Sequence, residues 1–149
     1  MIKKIGLAAD HGGFDLKAII SGFLKNNGYE VVDFGAHSMN KDDDYPDFVI
    51  PLAQAISEQT IPRGIAICGS GVGASIAANK IKGVRAALIN DYFSSYQGVE
   101  DDHMNLLCLG GRVTGYAAAL EYVKAFLKAE FSQLERHLRR ISKVAKLEK

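Results

Sequence analysis

The sequence predicts an α/β fold, a parallel sheet of five strands covered by helices on both faces. Short apolar runs alternate along the chain with segments whose apolar residues recur at helical spacing. Short strands alternating with helices predict a parallel sheet covered on both faces. No internal repeat or low-complexity linker interrupts the 149 residues. That length suits one domain, residues 1–149, with a core large enough to fold unaided.

The first run, Lys4-Ile5-Gly6-Leu7-Ala8-Ala9, ends in the turn-like Asp10-His11-Gly12-Gly13 and reads as a buried strand entering a loop. From Phe14 to Asn27, apolar residues at 16, 19, 20, 23 and 24 follow helical spacing, and Asn27-Gly28 supplies the stop. Tyr29 to Phe34 is a second strand. Gly35 to Pro46 is polar and acidic through Asp42, Asp43 and Asp44, hence a loop. A helix is expected from Asp47 to about Gln59, with Pro51 tolerable only in its first turn. Ile61 to Cys68 forms a third strand that runs directly into Cys68-Gly69-Ser70-Gly71-Val72-Gly73. A helix from Val72 to Lys80 follows, then a fourth strand from Val84 to Ile89 and a short helix from Tyr92 to Glu100. Asn105 to Leu109 is the fifth strand, closed by Gly110-Gly111-Arg112. Helices over Thr114–Ala129 and Ser132–Leu147 finish the chain.

Composition excludes several function classes. A formal net charge of +1 provides no overall basic field for nucleic acid, so no such partner is expected. No apolar run is long enough for a membrane span, and Met1-Ile2-Lys3-Lys4 lacks a signal peptide's apolar stretch, so no membrane partner is expected either. Two cysteines are too few for a disulfide framework, and no Cys/His cluster has zinc-ligand spacing. A reducing, cytoplasmic setting without a metal is the simplest expectation.

In open α/β sheets, ligands bind beyond the carboxyl ends of the strands. Asp10-His11, Cys68 and Gly111-Arg112 follow the first, third and fifth strands, so they mark a site. The glycine turn presents several main-chain N–H groups in one concavity, suited to a phosphate or a developing oxyanion. Its thiol sits beside a helix start, a setting that favours the thiolate. The turn is neither a Walker A sequence nor a full dinucleotide fingerprint. Cysteine is often just a small core hydrophobe, but so open a turn beside a thiol is hard to justify by packing. Cys108, mid-strand among leucines, reads as core. Arg136 and Arg140 are four apart and share a helix face able to clamp one phosphate. The plainer alternative is a solvated basic helix with Arg139, Lys143 and Lys146.

Four segments read together are more specific. They are Asp10-His11-Gly12-Gly13-Phe14, Asp44-Tyr45-Pro46, the Cys68–Gly73 turn with Ile76-Ala77-Ala78-Asn79-Lys80, and Asn105-Leu106-Leu107-Cys108-Leu109-Gly110-Gly111-Arg112. In this order the chain resembles the ribose-5-phosphate isomerase B family, which also contains galactose-6-phosphate and allose-6-phosphate isomerases. The resemblance covers almost the whole chain, including Arg136-His137-Leu138-Arg139-Arg140. It implies a Rossmann-like αβα sandwich, a homodimer with active sites between subunits, and no metal or organic cofactor. The sequence leaves pairing of dimers into tetramers open.

The implied reaction is aldose–ketose isomerisation of a sugar phosphate through an enediolate, ribose 5-phosphate to ribulose 5-phosphate first. By resemblance Cys68 is the base, and the main chain of Gly69, Gly71, Val72 and Gly73 forms the oxyanion pocket. Ser70 matches a hydroxyl that handles the sugar ring. Asp10 and His11 match residues that bind the substrate's hydroxyls and phosphate end, and Tyr45 one that lines the pocket. Arg112, Arg136 and Arg140 match substrate-binding arginines, whereas Arg139 and His137 receive no role.

One segment departs from the family. The family's ring-opening histidine and following asparagine fall here on Asp101 and Asp102, and a histidine occurs two residues later as His103. Carboxylate and imidazole differ in charge at neutral pH. Either Asp101 or His103 opens the ring, or the substrate is acyclic, such as a tetrose phosphate. A hexose 6-phosphate substrate and a non-enzymatic sugar-phosphate sensor are further alternatives.

Overall fold

The structure, a computed structural model, describes residues 3–148. Five strands form one sheet: β1 (Lys4–Ala9), β2 (Glu30–Asp33), β3 (Arg63–Cys68), β4 (Ala86–Leu88) and β5 (Leu106–Gly110). All neighbours are parallel and the order is β2-β1-β3-β5-β4. The helices are α1 (Phe14–Asn26), α2 (Pro46–Ser57), α3 (Val72–Ala78), α4 (Tyr92–Asp102), α5 (Tyr116–Lys128) and α6 (Glu135–Ala145). This is the expected α/β architecture. The strand order reverses between β1 and β3, so the carboxyl ends of those strands flank a crevice where ligands bind in such sheets.

Alternation along the buried strands sends side chains to two separate cores. Ile5, Leu7, Ile65, Ile67, Leu107 and Leu109 pack under α1, α4 and α5. Ala8, Ala66, Cys68, Leu106 and Cys108 face the other way, under α2 and α3. The helices beside the site therefore meet the face with smaller side chains.

Several elements differ from expectation. The fourth strand shrinks to the three residues Ala86–Leu88, because it pairs with β5 alone at the sheet edge. The helix expected to begin at Asp47 begins at Pro46, whose missing N–H costs nothing at a first helical position. Pro51 then lies in the second turn, not the first. Pro51 and Asp47 are both exposed, so water can satisfy the Asp47 carbonyl that loses its helical donor.

Two buried cations tie the layers. Lys17 donates from Nζ to Asp33 Oδ1 at 2.7 Å and to the Ala36 carbonyl at 2.6 Å, fastening α1 to the chain leaving β2. Arg63 donates to the carbonyls of Phe126 and Ala129, the latter at 2.8 Å, and closes the end of α5. Beyond α5 the chain folds α6 back against α4. The Gly83 N–H donates to Glu148 Oε1 at 2.9 Å, which ties the residues after α6 to the segment entering β4. Among the described residues no helix is long and apolar enough to cross a membrane.

Candidate active site

The wholly buried β3 delivers Cys68 to the crevice, 4% exposed. Its Sγ accepts the Gly71 N–H at 3.2 Å, so the turn folds back over its own thiol. That bend needs Gly71 at φ +83°, where a Cβ would also lie 2.8 Å from the Leu109 carbonyl carbon. The Val72 N–H donates to Ser70 Oγ at 3.3 Å. The N–H groups of Gly69, Ser70 and Gly73 find no acceptor among the described residues. A cluster of unused donors beside a sulfur suits an anion that forms next to that sulfur. The Tyr45 ring lies against Gly73, 2.6 Å from where a Cβ would stand.

Two further loops close on this turn. A Cβ on Gly12 would lie 2.8 Å from the Gly69 nitrogen, and one on Gly111 would enter the Gly12 carbonyl oxygen, so the three loops touch by main chain alone. The Gly111 N–H donates to the Cys68 carbonyl at 2.8 Å and the Arg112 N–H to the Gly69 carbonyl at 3.0 Å. The Arg112 guanidinium stands over Gly69. One rim thus gathers Asp10, His11, Tyr45, the Cys68–Gly73 turn and Arg112.

Asp10 is buried and accepts the Gly12 N–H on Oδ1 at 2.8 Å. His11 engages Asp43 twice: its main-chain N–H lies 2.9 Å and its Nδ1 2.7 Å from the same Asp43 Oδ1. Asp10, His11 and Asp43 each bring a potential metal-ligand atom within 4.8 Å of the others. Because His11 and Asp43 are already bonded to each other, the arrangement is that of an imidazole–carboxylate pair. Asp43 was not among the residues expected here. Its only signal in the sequence is that it lies two residues before Tyr45.

The remaining expected residues lie at the opposite end of the sheet. α4 runs antiparallel to the strands, so its last turn carries Asp101 and the exposed Asp102 to the amino ends. Asp101 accepts Gln97 Nε2 at 2.7 Å and lies 3.4 Å from His137 Nε2. His137, open to a helix-surface reading in the sequence, is 3% exposed, and its Nδ1 lies 2.5 Å from Ser132 Oγ. His103 ends α4 in the left-handed conformation, φ +53°, and stacks on Phe131 at 4.5 Å. Partial burial, with the Arg85 and Arg63 cations nearby, holds its imidazole below the usual histidine range. Asp101 and His103 therefore diverge: one meets α6, the other the loop after α5.

Arg136 and Arg140 project from α6 into solvent, whereas Arg139 pairs with Glu135 at 2.6 Å. A single chain does not bring Asp101, Asp102, His103, Arg136 or Arg140 to Cys68. Cys108 is fully buried, and burial, with Cys68 adding to it, pushes its thiol up; it belongs to the core.

The Ribose/Galactose Isomerase family matches residues 5–144. Ribose-5-phosphate isomerase B of Mycobacterium tuberculosis is 39% identical over 146 residues, covering 98% of this chain and 90% of that protein. The structure of ribose-5-phosphate isomerase B from Clostridium thermocellum aligns with TM-score 0.94 at 47% identity, covering 97% of each chain. That of the Mycoplasma genitalium enzyme, with bound ribulose-5-phosphate, aligns with TM-score 0.93 at 41% identity, covering 97% of this chain and 95% of that one.

Proposed function

This chain belongs to the ribose/galactose isomerase family and is a sugar-phosphate isomerase; from that premise we propose that it interconverts ribose 5-phosphate and ribulose 5-phosphate, with Cys68 as the base. The observation that carries the assignment is the Cys68 sulfur set against unused main-chain donors at the carboxyl end of β3.

The steps follow from that arrangement. The cyclic aldose first opens: the C1 hydroxyl loses a proton and the ring oxygen gains one. Cys68 then removes the proton on C2, and the electron pair moves to make a C1–C2 double bond with negative charge on the C1 oxygen. The free N–H groups of Gly69, Ser70 and Gly73 hold that charge, those of Gly71 and Val72 being engaged by Cys68 Sγ and Ser70 Oγ, and the Ser70 side chain orients the adjacent hydroxyl. Cys68 then returns its proton to C1 while the C2 hydroxyl proton passes to the C1 oxygen, which completes the ketose with no net change in protons or electrons. His11 and Arg112 face the far end of the sugar together with Arg136 and Arg140.

Because the latter pair and Asp101 lie at the amino ends of the strands, the working site needs a second copy of the chain. We therefore take the active form to be a homodimer, acting in the cytoplasm, in which Asp101 or His103 of the second copy opens the ring. The carboxylate at 101 favours one alternative, an acyclic tetrose phosphate that needs no ring opening. Turnover of ribose 5-phosphate and erythrose 4-phosphate by the purified protein separates them. The proposal expects the pentose to be preferred, with the preference lost in Asp101→Ala or His103→Ala. Preference for the tetrose in the wild type overturns it. Absence of solvent deuterium incorporation at the substrate's C2, with binding retained, would point instead to a sensor.

A further inference from the structure

Asp43 belongs to the acidic run Asp42-Asp43-Asp44, which the reaction leaves unused. Its side chain is 8% exposed, yet its Oδ2 is the one buried side-chain oxygen or nitrogen among the described residues that lacks a hydrogen-bond partner. A buried carboxylate oxygen without a donor is costly, and such groups call for an explanation. The other oxygen, Oδ1, is spent wholly on His11, taking both its main-chain N–H and its ring Nδ1. Among the described residues no other side chain bonds to Asp43, so the imidazole is its one side-chain partner. Which ring nitrogen of a histidine is available to a ligand is set by what the other nitrogen bonds. Nε2 of His11 has no partner among the described residues, and the His11 side chain stays 27% exposed on the rim beside Asp10.

We propose that Asp43 is a positioning residue for His11, holding a proton on Nδ1 and the ring plane so that Nε2 faces the sugar phosphate. The inference rests on the reading of this rim as the substrate's binding site. The rival is a loop anchor, in which Asp43 serves only the His11 main-chain N–H and ties down the segment before Tyr45.

Nitrogen-15 spectra of the histidine rings, assigned with a His11→Asn variant, distinguish the two without any assay. The expected result is a proton on Nδ1 of His11 in the wild type and its loss in Asp43→Ala. Nδ1 unprotonated in the wild type, or unchanged in the variant, overturns the proposal. Kinetics give the second arm. Asp43→Ala should raise KM for ribose 5-phosphate about tenfold with kcat nearly unchanged, and should add nothing in a His11→Asn background. A full, additive effect in that background marks a loop anchor instead. Should Asp43→Ala not fold, Asp43→Asn keeps an acceptor for the main-chain N–H and carries both measurements. If the wild type does not turn over ribose 5-phosphate, the substrate assignment fails while the spectra still decide the role of Asp43.

Discussion

A base that takes a proton from carbon must meet its substrate at short range without drifting, and the proposed base, Cys68, is fixed by packing and by the Gly71 N–H together. Its side chain is small and its neighbours Ala8, Ala66 and Ala74 are smaller, so shortening it leaves little void. Cys68→Ala is therefore expected to fold normally and bind sugar phosphate, while C2 proton exchange falls by a factor of roughly 10²–10⁴, the range for losing a positioned base. Exchange monitored in deuterium oxide, beside a melting curve, checks both halves; exchange at the wild-type rate would remove Cys68 from the mechanism. His103 offers a different test. Its imidazole is held below 6.5, so the folded chain resists a proton that the unfolded chain accepts. Stability should thus be unaffected above that value and decline as pH falls below it. In His103→Gln that part of the acid decline should vanish in urea titrations between pH 7 and pH 5. An unchanged slope would mean that partial burial beside Arg85 and Arg63 does not hold the ring neutral.

Among the elements, what was legible depended on whether chemistry or tertiary pairing drew the boundary. The turn after β3 is written in its glycines. Gly71 must take φ +83°, the last of the three residues that link the end of a buried strand to the start of a helix. Gly71→Ala is expected to cost about 1–2 kcal/mol from the left-handed backbone alone, with more from the approach to Leu109. It should also depress kcat, because the donor on the Cys68 sulfur moves. Thermal melts and kcat measured together test this, and a stable, fully active variant would show the bend to be dispensable. By contrast, β4 shortened because an edge strand pairs on one side only, which no local pattern records. α2 absorbed Pro51 because that stretch faces water, again a tertiary fact. Asp43 and His137 escaped notice for a related reason. Each gains meaning from a partner far along the chain, His11 for one and Asp101 for the other.

At the scale of the molecule, residues that the sequence grouped into one site are separated by the length of the sheet. Asp10, His11, Cys68 and Arg112 stand at the carboxyl ends of the strands, and Asp101, Arg136 and Arg140 at the amino ends. The sequence pattern identified both groups but contains no distance, so it could not tell a one-chain site from a shared one. If each site takes its rim from one chain and its arginines from a second, damage to the two groups should complement. Cys68→Ala and Arg140→Ala proteins, each nearly inactive alone, would form mixed dimers in which one site carries both lesions and the other carries none. Random exchange makes half of all dimers mixed, so roughly a quarter of wild-type specific activity should return. Denaturing and refolding the two variants together, against each refolded alone, measures it. A site built within one chain would keep a lesion in every site of every mixture, and the activity would stay at the level of the separate variants. The same experiment with Asp101→Ala in place of Arg140→Ala asks whether Asp101, one of the two groups proposed for ring opening, also acts between chains, since recovery on ribose 5-phosphate then requires Asp101 from the subunit that still carries it.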